Sequence, residues 1–194
     1  EKIQFIIFHY TGMQSKRASI KRLTSKKHKV SCHYLVDQKG KIFQLVKDKY
    51  TAWHAGKSKW KNIVNLNENS IGIELVNKGH KIQYENFTSL QINNLIQICL
   101  KLKKKYKIKP WNILGHSDIA PIRKQDPGEN FPWKILSKKG LGKWYNLNSI
   151  KNKKKKVKNN RNLFFRNLFK IGYRYFKKNR PSKHDSHIIK SFQR

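Results

Sequence analysis

Ile3 to Phe8 (IQFIIF) is a short apolar run with large side chains on both alternating faces, which predicts a strand buried on two sides and ending at His9. Ser15 to Lys27 reads as helical. Val30 to Val36 (VSCHYLV), the turn DQKG and Lys41 to Val46 (KIFQLV) then read as a hairpin closed at Gly40. A Gly- and Lys-rich loop around TAWHAGKS leads to a second buried strand, Ser70 to Val76 (SIGIELV). The clearest helix begins at Thr88, where Thr88 and Gln91 have capping-box spacing. Ile92, Leu95, Ile96, Cys99, Leu102 and Tyr106 then form one apolar stripe, and Pro110 stops the helix. Trp111 to His116 (WNILGH) is a further short strand that again delivers a histidine at its end. This order predicts an α/β protein with a mixed central sheet flanked by helices.

The pattern changes after Trp144. Lys151 to Arg161 (KNKKKKVKNNR) is a charge run with almost no apolar content, and two short amphipathic segments follow, Leu163 to Tyr173 and His187 to Gln193. The expected organisation is a catalytic domain over residues 1–147, a basic linker over 148–161 and a helical C-terminal extension over 162–194, too small to fold alone.

Composition narrows the function classes. The formal net charge of +35 raises nucleic acid as a partner. The lysines are spread along the whole chain amid Ile and Asn, so compositional drift is the simpler cause, and no specific nucleic-acid partner is expected. A basic surface does suit anionic polymers of a cell envelope. No apolar run is long enough to cross a bilayer, and any signal peptide or anchor would lie upstream of Glu1. Cys32 and Cys99 stand in dissimilar contexts, which argues against a disulfide or a zinc thiolate pair and for two small buried residues.

Among the eight histidines, His9 and His116 each follow an apolar strand, and Asp126 lies in a Pro/Gly-bounded loop ten positions after His116. Two imidazoles and a carboxylate suit a catalytic zinc shell that leaves a position for water. Spacing alone leaves open the ordinary reading, histidines hydrogen-bonded within the fold. Glu74 in SIGIELV is a carboxylate in an apolar run, either solvent-facing or put to use.

The strings FHYTG, SCHYLVDQKGKIFQLV, AWHAGKS, NSIGIELVN and GHSDIAPIRKQDPGENFPW occur in an order that resembles the N-acetylmuramoyl-L-alanine amidase type 2 family, over about residues 3 to 144. The resemblance implies an amidase type 2 (peptidoglycan recognition protein-like) fold, one zinc ion per chain on His9, His116 and Asp126, Glu74 as general base and Lys124 on the oxyanion. It also implies a hydrolase acting on the bond between N-acetylmuramic acid and L-alanine, in peptidoglycan or its muropeptide fragments. A non-catalytic peptidoglycan-binding protein is the alternative.

Other superfamily members carry a catalytic tyrosine where this chain has Cys32, and the combination of Cys32 with Glu74 is similar to the bacterial branch, with Cys32 structural. By the same resemblance the AWHAG segment lines the groove, so His54 and Trp53 are expected to bind substrate, and Asn69 and Asn77, flanking the Glu74 strand, are candidates to bond the stem peptide. The C-terminal segment resembles the start of a peptidoglycan-binding module; a basic tail packed on the catalytic domain is the other reading. The expected setting is a monomer in the bacterial envelope or periplasm, with cytoplasmic recycling as the alternative.

Overall fold

The computed structural model describes residues 2–145, 160–177 and 180–194. Its centre is a five-stranded sheet in the order β3-β2-β6-β1-β7, built from β1 (Phe5–Tyr10), β2 (Tyr34–Val36), β3 (Ile42–Gln44), β6 (Ser70–Leu75) and β7 (Ile113–Gly115). Strand β1 pairs in parallel with β6 and β7, β2 pairs in parallel with β6, and only β2 and β3 are antiparallel. A separate ribbon joins β4 (Lys59–Trp60) and β5 (Ile63–Val64). The sheet is mixed, as the pattern predicts.

Alternation along the strands divides the core in two. On one face Ile6, Phe8, Ile71, Ile73 and Leu75 meet α2 (Ser89–Tyr106) through Ile92, Leu95, Ile96, Cys99 and Leu102. On the other, Phe5, Ile7 and Leu114 meet Trp60, Leu66 and Ile119. Because β1, β6 and β7 are parallel, their carboxyl ends share one edge of the sheet, where open α/β sheets bind ligands. His9 and Glu74 are register partners at that edge, and His116 follows β7 directly.

Several local expectations shift. Strand β1 starts and ends two residues later than the apolar run, so His9 lies within it. The hairpin is present with Gly40 at φ +79°, but its strands are only three residues each. Helix α1 (Lys16–Leu23) is capped by Ser15 and stops before Lys27, with a 3-10 turn at Lys26–His28. Helix α2 takes only half of the capping box. Thr88 Oγ1 accepts from Gln91 N, whereas the Gln91 amide donates to the carbonyls of Val36 and Val76, tying the helix to the ends of β2 and β6. It ends at Tyr106, four residues before the 3-10 turn at Pro110 that carries Trp111 and Asn112; His116 opens the short helix α3 (His116–Ile119) instead of closing a strand. Helix α4 (Trp133–Lys138) follows.

The expected linker over 148–161 lies outside the described residues except for its last two, Asn160 and Arg161, which form the cap and first residue of helix α5 (Arg161–Ile171). This helix and α6 (Asp185–Gln193) pack onto the second face, where Phe165, Leu168, Tyr173 and Ile188 join the Trp60 cluster. The Trp60 and Tyr173 rings stand edge to face at 4.9 Å. The Tyr173 hydroxyl donates to Asp118. The tail thus packs against the sheet through the Trp60 cluster.

Candidate active site

Three side chains far apart in sequence meet at the carboxyl edge of the sheet. His9 Nδ1 and His116 Nδ1 lie 2.9 Å apart, and Asp126 Oδ2 is 3.0 Å from each. All three residues are buried, at 1%, 2% and 7% exposure, so water does little to satisfy them. Two imidazole nitrogens and a carboxylate oxygen aimed at one point form a donor set for a small divalent cation, and the set suits zinc. Among the described residues this is the group that could hold a metal ion.

The fold delivers each donor by a different route. His9 comes from the central strand. His116 opens α3, held by the Asp118 carboxylate, which accepts from Gly115 N. Asp126 comes from the loop beyond α3, where Ser117 N donates to the Asp126 carbonyl.

Electrostatics mark the cluster. Burial, with His116 nearby, lowers the His9 pKa to about 4, so its ring is neutral near pH 7. Burial also works against ionised Asp126, yet His116 and His9 hold that carboxyl well below the usual carboxylate range. Glu74 moves the other way. Burial first, then the Asp126 charge, raise it to about 8, with Lys124 opposing. Its Oε2 has no hydrogen-bond partner among the described residues, which is costly for a buried carboxyl unless a ligand uses it. Glu74 sits on the strand face opposite Ile71, Ile73 and Leu75, the face that also carries His9.

These residues border a cleft of about 520 Å³ that includes His9, His54, Glu74, His116, Lys124 and Asp126, with Arg22, Lys78, Lys81 and Arg123 around it. A larger cleft of about 890 Å³ lies at the opposite end of the strands, near Ser70 and Asp48. There the Asp48 carboxylate is already occupied by Tyr34, Gln44, Lys105 and Tyr106. The unpaired acid and the convergent donors place the chemistry in the smaller cleft.

The expected substrate-binding residues are distributed differently. His54 reaches the cleft but is buried at 6% exposure, with both ring nitrogens engaged: Nδ1 lies 3.0 Å from His9 Nε2, and Nε2 lies 3.1 Å from Ser70 Oγ. Burial and the neighbouring histidines lower its pKa well below the usual histidine range. Trp53 is 55% exposed and is not among the residues bordering the cleft. Asn69 precedes β6 and lies at the far end of that strand from Glu74, so the structure does not bring it to the cluster. Asn77 is at the near end but braces a loop, donating to the Glu85 carbonyl and accepting from Gly79 N. Cys32 is fully buried with Leu23, Leu35 and Val76, and burial holds its thiol well above the usual range, as a structural residue requires. Both cysteines are free.

Sequence reasoning missed Ser70, Gly72, Asn67 and Arg123. Asn67 Oδ1 accepts from the amides of both His54 and Ala55, and Arg123 donates to the Ala55 and Lys57 carbonyls, so together they fix the AWHAG loop. The available signal was Gly72: a glycine inside an apolar strand marks the close approach of another group.

The comparisons agree with this geometry. The family model described as N-acetylmuramoyl-L-alanine amidase matches residues 1–129. The chain is 41% identical over 155 residues to N-acetylmuramoyl-L-alanine amidase AmiD of Escherichia coli K12, covering 74% of this chain and 55% of that protein. It is 39% identical over 106 residues to 1,6-anhydro-N-acetylmuramyl-L-alanine amidase AmpD of Haemophilus influenzae, covering 54% and 55%. The chain therefore spans about half the length of the curated relatives it matches. Among solved structures, the E. coli AmiD complex with anhydro-N-acetylmuramic acid-L-Ala-D-gamma-Glu-L-Lys has a TM-score of 0.89 at 34% identity, covering 100% of this chain and 80% of that one. AmpDh3 of Pseudomonas aeruginosa has a TM-score of 0.89 at 31% identity, covering 100% and 82%. With its sheet, its cleft and its sequence in accord, the chain belongs to the N-acetylmuramoyl-L-alanine amidase family.

Proposed function

We propose that this chain hydrolyses the amide between the lactyl carbonyl of N-acetylmuramic acid and the first L-alanine of the stem peptide, with one zinc ion held by His9, His116 and Asp126. The observation that carries the reading is the meeting of those three donors, at 2.9 to 3.0 Å, beside an unpaired buried carboxyl. Zinc, when bound, supplies Lewis acidity that makes water a competent nucleophile near neutral pH and polarises the scissile carbonyl.

The chain's own residues do the rest. Glu74, bordering the same cleft, takes the proton from water as its oxygen adds to the carbonyl carbon, acting in the carboxylate form that a bound cation's charge would favour. The Lys124 ammonium, also bordering it, donates to the developing oxyanion. Glu74 then passes its proton to the alanine nitrogen as the C–N bond breaks, releasing the stem peptide and the muramic carboxyl. Arg22, Lys78, Lys81 and Arg123 surround the cleft with positive charge, which favours stems bearing carboxylates.

Both relatives above carry amidase names, and the AmiD structure holds an anhydromuramyl peptide. A protein that only binds peptidoglycan has no use for Glu74, so the metal set together with a buried acid favours catalysis over mere binding. The chain is read as a monomer of the bacterial envelope whose basic surface adheres to anionic wall polymers, with the helices of residues 162–194 packed on the sheet. Among the described residues no helix is long and apolar enough to cross a membrane.

The test is incubation of purified protein with anhydromuramyl peptides and with sacculi, followed by mass spectrometry. Free stem peptide is expected, lost on chelation and restored by zinc; cleavage that survives complete metal removal would refute the proposal.

A further inference from the structure

The hydrogen-bond chain behind His9 can be assigned proton by proton. It begins at Ser70, whose hydroxyl meets two groups: the Leu66 carbonyl and, at 3.1 Å, His54 Nε2. A carbonyl only accepts, so the Ser70 proton goes to Leu66. His54 Nε2 must then carry the proton that Ser70 Oγ accepts. In the neutral ring this leaves His54 Nδ1 a bare lone pair, 3.0 Å from His9 Nε2. His9 Nε2 therefore donates, and His9 Nδ1, on the other side of its ring, presents its lone pair to the point shared with His116 and Asp126.

His116 is set the same way by the next residue of the same loop. Its Nε2–H donates to the Ala55 carbonyl at 3.0 Å, again leaving Nδ1 unprotonated. Consecutive residues 54 and 55 thus each hold one imidazole of the pair. Space for this arrangement comes from Gly72: a Cβ there would stand 2.3 Å from His54 Cγ.

We propose that His54, anchored by Ser70, is a positioning residue that fixes the tautomer and orientation of His9 for metal binding and does not contact the substrate. The inference rests on the metal-site reading above. His54 has no ring nitrogen left to offer a muropeptide. A group that holds a ligand histidine by its second nitrogen typically contributes about 10- to 100-fold in metal affinity or activity.

Nitrogen-15 correlation spectra of histidine in the metal-free wild type test the assignment without any variant. His9 and His54 should both appear as the Nε2–H tautomer; a Nδ1–H tautomer at His9 would overturn the proposal. Zinc affinity by chelator competition is the second measurement, with Ser70→Ala, His54→Leu and His54→Asn, whose amide oxygen can still accept. We expect His54→Leu to bind zinc about 10- to 100-fold more weakly, Ser70→Ala to fall between it and wild type, and His54→Asn to recover part of the loss. Unchanged zinc affinity in His54→Leu, with a raised KM for muropeptide, would make His54 a substrate contact and reject the inference. Failure of wild type to bind zinc would instead reject the metal-site reading, and the tautomer spectra would still judge the relay on its own.

Discussion

At the residue scale, function depends on how differently two buried carboxyls are treated by neighbours a few ångströms apart. Against burial, His116 and His9 hold Asp126 well below the usual carboxylate range, while burial raises Glu74, on β6, to about 8. Glu74→Gln removes the proton shuttle while keeping shape, and kcat should fall about 10²- to 10⁴-fold with metal content unchanged by elemental analysis. Lys124→Met should cost about a hundredfold or more in kcat, with less change in KM.

The Glu74 shift also has a stability consequence in the metal-free protein. Between its usual value of 4.5 and about 8, the folded state retains a proton that the unfolded chain releases. Stability from this group is thus full below about pH 4.5 and is lost as pH rises through about 8. Thermal melts of chelated protein across that window should show a falling midpoint, and Glu74→Gln should flatten it. A parallel decline in the variant would assign the slope to other groups.

His9 and His116 are legible as candidates because each stands at or just beyond the end of a short apolar run, and strand ends are where parallel sheets gather side chains; Asp126 is marked instead by its Pro/Gly-bounded loop. The relay was not visible. His54 lies in a loop whose course is set by Asn67 and Arg123, and no periodicity in AWHAG says that its histidine turns inward while its tryptophan turns out. Asn69 and Asn77 look equivalent in a sequence because both flank a strand, whereas only the carboxyl end of β6 faces the cleft.

At the element scale, the fold is held in register by a few polar side chains doing backbone work. Strand β2 is shorter than the apolar pattern suggests, and the side chains of His33 and Gln91 supply hydrogen bonds at its two ends. His33 Nδ1 accepts from Gly72 N, and Gln91 serves the carbonyls that end β2 and β6. Helix α2 is therefore attached to the sheet by more than its apolar stripe. Gln91→Leu would leave the buried Val76 carbonyl unpaired, at about 1–3 kcal/mol, while the Val36 carbonyl keeps its bond from Val76 N. Urea unfolding should show the loss as a lower midpoint at unchanged slope; a midpoint equal to wild type would mean that water replaces the amide. The long periodic helix and the buried strands were readable in advance. Their exact ends were not, because no glycine marks the left-handed turn at Lys107 and the Gln91 contacts depend on residues distant in sequence.

At the scale of the whole molecule, the C-terminal helices share a core with the sheet instead of forming one of their own. Phe165 and Leu168 are buried at 1% exposure, packed in the cluster that holds Phe5 and Ile7. Arg194 reaches the Gln125 carbonyl and Glu129, on the loop that carries Lys124 and Asp126. Phe165→Ala should cost about 3–5 kcal/mol and lower unfolding of the entire chain in one transition, read as faster hydrogen exchange in β1 and β6. An unchanged exchange rate in those strands would mean that the two parts unfold separately.

The Trp60–Tyr173 contact carries one more implication. Tyr173 is wedged against Trp60 while its hydroxyl is spent on Asp118, beside the histidine that opens α3. An appendage seated this way cannot swing like a leash. The tail helices keep one angle to the cleft, so their spacing from the donor cluster is built into the protein like the throat of a stapler.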